Sequence, residues 1–304
     1  MLKITGLKKS YRGFPVLLNL NMNIEKGDVY GLVGTNGCGK TTTMNIICNI
    51  IPKDDGDVAF ENESIKIGYL PESPALYGYM NGFEYLDFIG ACCEYEGDVK
   101  ARTAEVLSIT GMTDGAGRLI KGYSRGMNQR IGIAAALYAR PDLLILDEPT
   151  SALDPQGRAE VMEIITRLAA SGATIILCTH ILSDVERVAN KVGILHGGVM
   201  AVEGLINDVR RRYEGSNALH IRLRYTPEPD DPVCGIELAE KCEIWQGGLT
   251  LYAKWGVSEA ELFYKAVTTM AEHKIVPEAV EFRRLTLEQI YIGVCSGSLI
   301  TSAF

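Results

Sequence analysis

The first 25 or so residues alternate apolar and polar positions around Gly and Pro. Leu2, Ile4 and Leu7 precede a turn region, and Val16, Leu18, Leu20, Met22 and Ile24 keep a strict period of two. Alternation of this kind lines one face of a strand and predicts antiparallel strands. Four later runs are short and mostly apolar, at residues 29–33, 65–70, 143–146 and 174–178. Runs of that length suit strands buried on both faces. Helical patterns lie between the later ones, so the region predicts an α/β domain with a mostly parallel sheet. From about residue 81 to 139 the pattern is helical and no strand is evident. Asp154 and Pro155 open an amphipathic run to Ala170, and Gly172 follows it. Pro at the first helical position and Gly just past the end are the expected punctuation. Ser183-Asp184-Val185-Glu186 reads as the capping-box start of another helix.

The character of the chain changes at Arg210-Arg211-Arg212. Residues 218–225 alternate, and a Pro- and Asp-rich loop follows at 226–232. Residues 242–245 and 249–255 predict a hairpin across Gly247-Gly248. Ser258 opens a helix with Leu262, Phe263, Ala266, Val267 and Met270 on one face, and residues 279–283 predict a last strand. The division expected is residues 1–213, with a helical part at about 76–140, and a small α+β domain with a loose tail at 214–304. The three arginines read as a solvated face, because lipid-binding clusters hold more basic residues.

The chain of 304 residues is 47% hydrophobic and 22% charged, enough for two folded domains. A net charge of −8 argues against a nucleic-acid-binding surface, which carries a basic footprint. No apolar stretch reaches the roughly 20 residues that span a bilayer. The start of the chain lacks a signal-peptide layout, so a cytoplasmic location is expected. The eight cysteines form no C-x-x-C pair. They read as reduced thiols, mostly filling cores.

Residues Gly34-Thr35-Asn36-Gly37-Cys38-Gly39-Lys40-Thr41 spell G-x-x-x-x-G-K-T between a predicted strand and a predicted helix, and Thr42 follows. That is the context of a P-loop. Glycines let backbone N–H groups approach phosphates, and the helix adds its positive end. Lys40 is placed to reach the outer phosphates and Thr41 to hold Mg²⁺. A second Mg²⁺ carboxylate is expected at the end of an apolar strand. Leu143-Leu144-Ile145-Leu146-Asp147 supplies it, and Glu148 behind it is a candidate to polarise the attacking water. Cys38 lies among the loop amides. It is either a thiol exposed to the phosphate site, which positive potential would activate, or an inert filler.

The order of these motifs resembles the nucleotide-binding subunit of ATP-binding-cassette (ABC) transporters over residues 1 to about 205. Tyr11 stands where that family stacks a ring on adenine. Pro71-Glu72 stands at its Gln-containing loop, which would bring Glu72 to the metal. Tyr123-Ser124-Arg125-Gly126-Met127 stands at its signature sequence, Ser151-Ala152-Leu153-Asp154 at its D-loop, and Thr179-His180 at its switch histidine. Each has a plainer role as well: Tyr11 as a strand aromatic, Ser124 and Asp154 as helix caps, His180 as a core histidine. His196, His220 and His273 have no motif around them and read as structural or surface residues.

The resemblance implies a P-loop NTPase cassette: a RecA-like parallel sheet core, an antiparallel β subdomain and a helical subdomain, followed by the small α+β domain. It implies ATP and Mg²⁺ as cofactors and catalysis by Glu148, His180 and Lys40. It implies a second cassette, the same chain or a related one, closing head-to-tail so that Ser124 and Gly126 face the partner's nucleotide. A membrane-embedded permease would hold the pair on the inner face of the cell membrane. Glu72 in place of Gln, and Arg125 and Met127 in the signature, depart from the common pattern and resemble the exporter branch. The competing reading is an ABC-type ATPase or nucleotide-dependent regulator not coupled to transport.

Overall fold

The computed structural model describes residues 1–62, 64–213, 218–254, 256–283 and 286–296. Expectations for residues 214–217, for Trp255 and for the tail at 297–304 lie outside the described residues. The chain divides into two compact units, Met1–Ile206 and Asn207 onward. The division falls seven residues before the expected 213/214. The arginine run lies inside a helix that begins at Ile206 and buries Ile206, Val209 and Tyr213. The change in composition therefore marks the polar face of an element, not a gap between elements.

The first unit holds nine strands: β1 (Leu2–Tyr11), β2 (Phe14–Ile24), β3 (Val29–Val33), β4 (Asp55–Phe60), β5 (Ile67–Leu70), β6 (Leu143–Asp147), β7 (Thr174–Thr179), β8 (Lys191–His196) and β9 (Val199–Leu205). Its helices are α1 (Lys40–Ile47), α2 (Gly82–Cys92), α3 (Val99–Ile109), α4 (Arg125–Leu137), α5 (Pro155–Ala170) and α6 (Leu182–Val188). The strands form one sheet in the order β4-β1-β2-β9-β8-β3-β7-β6-β5. Its middle, β8-β3-β7-β6-β5, is parallel, and β1 pairs antiparallel with β2 and β4. Every residue of β3, β6 and β7 is buried, which is why these segments read as mostly apolar runs.

Register decides where the chemistry gathers. Val33 pairs with Thr179, Asp147 with Cys178, and Leu70 with Leu146. The residues that follow β3, β7, β6 and β5 therefore share one rim. An open parallel sheet binds ligands at the carboxyl ends of its strands. The loop at 34–39, His180, Glu148 and Pro71-Glu72 all start from that edge.

β2 departs from its expected alternation. Leu17 is 1% exposed and Leu18 47%. The β1–β2 register shifts between Leu7 and Lys9 and again between Lys9 and Ser10. Each irregularity inserts or drops a residue and turns side chains to the other face. Leu17, not Leu18, thus joins the core with Leu20, Met22 and Ile24. The expected capping box at Ser183 does not form either. α6 begins one residue before Ser183, and the residue ahead of it, Ile181, gives it no side-chain cap. The hairpin of β8 and β9 was not read from the sequence. Its turn residues Gly197 and Gly198 have φ of 57° and 78°, the left-handed pair that suits a two-residue hairpin turn.

Between β5 and β6 the chain is helical, as the pattern predicts. Asn81 caps α2 in a reciprocal box with Glu84, and Asp98 caps α3. Buried Arg102 on α3 donates to the backbone carbonyls of Leu137 and Tyr138 at the end of α4. Leu137 O also accepts from Arg140 N at 3.1 Å; the guanidinium adds to that at the helix end and fastens α3 to α4.

All of α7 (Ile206–Tyr213) but its first residue falls in the second unit, which continues through β10 (Ala218–Arg222), β11 (Ala239–Trp245), β12 (Gly248–Ala253), α8 (Glu259–Glu272), β13 (Ala279–Arg283) and α9 (Leu287–Ser296). Its sheet is antiparallel, in the order β11-β12-β10-β13. Leu219 and Ile221 of β10 and Leu249 and Leu251 of β12 share a core with Leu262, Ala266 and Met270 of α8. Phe263 and Val267, expected on that face, are 40% and 39% exposed. The buried stripe runs at i, i+4 and i+8 and is narrower than the apolar pattern suggests. α9 follows the last expected strand, in a stretch for which the sequence pattern named no element. Leu287, Ile290 and Gly293 give it one buried face.

Candidate functional site

The loop at 34–39 is shaped by its glycines. Gly37 and Gly39 have φ of 80° and 112°, where side chains are strained. A Cβ on Gly39 would also stand 2.7 Å from Leu17 Cδ2. The β2 irregularity that turns Leu17 inward therefore sets how close the loop lies to the sheet. No side chain caps α1 at Gly39, so the first-turn N–H groups are left for an anion. Lys40 is buried. Its Nζ donates to the carbonyls of Gly34 at 2.8 Å and Thr35 at 3.3 Å and lies 3.5 Å from Glu148 Oε1.

A cleft of about 410 Å³ opens over this loop. Asn36, Gly37, Gly39, Lys40, Thr41, Thr42, Glu72, Glu148 and His180 line it, with Val16. The expected P-loop residues, the acid and the histidine thus meet in space although 144 positions separate Asn36 from His180. Gly34, Thr35 and Cys38 do not line the cleft. The first two act through the carbonyls that hold Lys40. The Cys38 thiol turns toward the sheet core and into the space beside Gly34. Of the two roles open to Cys38, the geometry supports the filler.

Asp147 ends β6 fully buried, and neither carboxylate oxygen has a hydrogen-bond partner among the described residues. Burial raises its pKa, and the charges of Glu148 and Glu72 add to the rise. The Thr41 hydroxyl and Lys40 beside it pull the other way. An unpartnered buried carboxylate is costly, and a cation next to Thr41 and Asp147 would relieve it. No group of three His, Cys, Asp or Glu among the described residues is arranged to hold a metal ion by itself. Such a site suits a hard ion that takes most of its oxygen ligands from phosphate and water.

Glu148 has φ of 49°. Its amide donates to Cys178 O at 2.8 Å, which ties it to β7. Its carboxylate faces His180 Nδ1 at 3.0 Å and accepts from Thr179 Oγ1 at 3.3 Å. A carboxylate only accepts, so Nδ1 carries the proton in this pair. The His180 side chain is 48% exposed and reaches into the cleft. The sequence pointed to Thr179-His180 but not to the Thr150, Arg158 and Asp184 contacts nearby. For Arg158 and Asp184 the signal was a charged residue four positions behind a known motif residue, Asp154 and His180; for Thr150 there was none.

Ser124 and Gly126 belong elsewhere. Ser124 caps α4 by accepting from Met127 N at 3.2 Å, and Asp154 caps α5 by accepting from Gly157 N at 2.9 Å. With Arg125, Ala152 and neighbours they line a second cleft of about 500 Å³ that shares no lining residue with the first. Arg125 Nη1 donates to Ala152 O at 3.3 Å and joins the two helix starts. Tyr11 lines neither cleft. It pairs with exposed Phe14 at the hairpin end and carries the Lys9 ammonium 5.6 Å above its ring. In the second unit a separate cavity of about 850 Å³ is lined by His220, Glu243, Ile244, Trp245, Thr250, Glu281 and Phe282. His220 stacks there on Trp245, 4.4 Å between ring centres.

The ABC transporter family model matches residues 17–151. A lantibiotic transport ATP-binding protein of Streptococcus pyogenes, SrtF, is 39% identical over 72% of this chain and 94% of its own length. The chain belongs to the ATP-binding subunits of ABC transporters. A bacitracin transport ATP-binding protein of Enterococcus faecalis, BcrA, is 34% identical over 70% of this chain and 71% of its own. The solved structure of an ATP-binding subunit of an ABC transporter superposes with a TM-score of 0.63 at 27% identity, covering 70% of this chain and 93% of that one. The first unit is thus a P-loop cassette, and the chain is the ATP-dependent subunit of a transporter. No described helix is long and apolar enough to cross a membrane.

Proposed function

We propose that this chain hydrolyses Mg-ATP in the cleft over Lys40 and uses the resulting cycle of closure and opening to drive export through a separate membrane permease. The observation that carries this reading is Glu148, held between His180 and Lys40 on the cleft wall. Lys40 and the α1 amides would bind the outer phosphates. Glu148 would take a proton from the attacking water, with His180 Nδ1–H and Thr179 Oγ1 orienting its carboxylate. Phosphoryl transfer depends mostly on positioning and charge stabilisation. Thr41 and Asp147, with Glu72 at the cleft edge, would hold Mg²⁺, which neutralises phosphate charge.

The second cleft would complete a partner's site. Ser124 and Gly126 sit at the N-terminus of α4, a place that favours anions, and they share no lining with this chain's own P-loop. Head-to-tail closure of two cassettes would bring each such helix start to the other's nucleotide. Tyr11 would stack on adenine from the hairpin beside the loop. The permease would dock near the helical part, where exposed Tyr77, Tyr79, Phe83 and Phe88 follow Glu72 in the chain. Tyr77 touches both Tyr79 and Phe88, at 5.8 Å and 5.5 Å between ring centres. That partner would hold the chain on the cytoplasmic face of the membrane. The lantibiotic and bacitracin relatives support a peptide antibiotic as cargo.

Glu148→Gln tests the central step. It keeps the side chain's shape and removes the base. The variant is expected to bind ATP as the parent does, to lose turnover, and to accumulate an ATP-bound dimer by light scattering. Turnover near the parent's would refute the role.

A further inference from the structure

Asp184 joins three segments that this reaction uses. It lies in the first turn of α6, four residues after His180, with its side chain 5% exposed. Its Oδ2 accepts from Thr150 Oγ1 at 2.6 Å. Its Oδ1 accepts twice from the Arg158 guanidinium, from Nε at 3.0 Å and Nη2 at 2.6 Å. Nη2 also donates to Ser183 Oγ at 2.9 Å. Thr150 stands two residues after Glu148. Arg158 stands one turn into α5, and its amide donates to Asp154 O at 2.9 Å. The next residue on α6, Val185, fills the space over Gly31 of β3, so closely that a Cβ there would collide with it.

The junction therefore has one arm on the Glu148 loop, one on the helix capped by Asp154, and a base fixed to the strand that carries the P-loop. The loop it grips is conformationally demanding. Glu148 and Ala152, both non-glycine, have φ of 49° and 58°, which persists only where surroundings enforce it. Charged, directional hydrogen bonds supply such enforcement. A buried ion pair adds little net stability compared with an apolar replacement, so geometry is what this one contributes.

We propose that Asp184 is a positioning residue: through Thr150 and Arg158 it ties the D-loop side of the second cleft to the Glu148–His180 pair in the first. Events at Asp154 then set whether the pair is aligned for hydrolysis. This rests on the ATPase reading of the first cleft, and the parent's own turnover tests that reading separately.

The experiment compares the full chain with Asp184→Asn, Thr150→Val and Thr150→Ser, measuring affinity for a fluorescent ATP analogue alongside kcat and KM. A parent without turnover would remove the ATPase reading itself. Given an active parent, Asp184→Asn and Thr150→Val are expected to bind nucleotide within about twofold of it and to lose about ten- to a hundredfold in kcat, with KM little changed, as misalignment does. Thr150→Ser, which keeps the hydroxyl, is expected to retain parental turnover. Asp154→Ala combined with Asp184→Asn is expected to lose less than the product of the two single losses, because both act along one connection. Parental kcat in both Asp184→Asn and Thr150→Val would overturn the proposal. So would losses that simply multiply in the Asp154 combination, or a kcat loss matched by lost nucleotide affinity. Should Asp184→Asn fail to fold, the Thr150→Val and Thr150→Ser pair decides alone: equal turnover in the two overturns it.

Discussion

The cleft around Lys40 is made from strand ends, and the cleft around Ser124 from helix starts. In the first, the ends of β3, β5, β6 and β7 bring together groups far apart in the chain. Charges are buried there and only partly paired. Lys40 leans on loop carbonyls, Glu148 on His180, and Asp147 has no hydrogen-bond partner among the described residues. In the second, Ser124 and Asp154 each cap their own helix within three residues. The first cleft holds stored electrostatic demand that a ligand can satisfy. The second holds exposed amide ends with local caps, an arrangement that lends itself to another molecule's anion. A buried, unsatisfied site and a surface, self-capped one should respond differently to substitution.

The largest difference is expected from Lys40. Lys40→Ala removes the cation from the buried cleft and takes away the ammonium beside Glu148. ATP affinity should fall by about a hundredfold or more, because a charge-assisted contact to the phosphates is lost. Fluorescent-nucleotide titration reads this directly, and parental affinity would mean that the strand-end cleft is not the phosphate site.

Next comes the complementarity of the two clefts. Ser124→Arg should leave nucleotide affinity near the parent's while abolishing turnover. Mixing this variant with Lys40→Ala should then restore activity, since one of the two shared sites in a mixed dimer escapes both defects. Turnover in the mixture no greater than the sum of the separate variants, with mixed dimers demonstrated by tag pull-down, would break the assignment of the second cleft to a partner.

A smaller effect concerns Asp147. Its pKa is raised in the folded chain, so folding disfavours its ionised form. The penalty is absent below the ordinary carboxylate range, where the group is protonated folded or unfolded. It grows as pH rises through that range and persists at neutral pH. Asp147→Asn should therefore raise the melting temperature of the nucleotide-free protein at pH 7.5 by roughly 2–4 °C, the scale of about 1 kcal/mol. The gain should shrink toward pH 4. The same variant should lose the extra stabilisation that Mg²⁺ adds to ATP. An unchanged or lower melting temperature without ligand would contradict a strained carboxylate.

The smallest is Tyr11→Ala. A stacking ring contributes about 0.5–1.5 kcal/mol beyond its buried area. The expected result is a rise of about three- to tenfold in KM for ATP with kcat unchanged. No change in KM would leave Tyr11 as a surface aromatic of the hairpin.

Much of the first cleft was legible because its parts are local signals. A glycine loop between strand and helix, an acid pair behind an apolar run, and Thr179-His180 behind another can each be read within ten residues. The helix caps at Ser124, Asp154 and Ser258 were legible for the same reason. What failed depended on distant partners. Leu18 fits the alternation, yet the irregular pairing with β1 turns Leu17 inward instead. Ser183 has the spacing of a cap, but α6 starts before it and the hydroxyl serves Arg158. For Cys38 the sequence left two roles open, and only the packing against the core favours the filler.

The sequence by itself determined the element types, the order of the motifs and the chemistry each residue can offer, because propensity, punctuation and side-chain pKa are properties of short segments. The tertiary structure decided which of these residues share a cleft. Strand register brought the residues after β3, β5, β6 and β7 to one edge, and the rest of the fold gave Ser124 and Asp154 a cleft of their own. It also shifted the charge preference of Asp147: burial and neighbouring acids raise its pKa, and no local pattern encodes them. The Asp184 junction belongs wholly to this second kind, since its three arms come from loops and helices that meet only when the sheet is assembled.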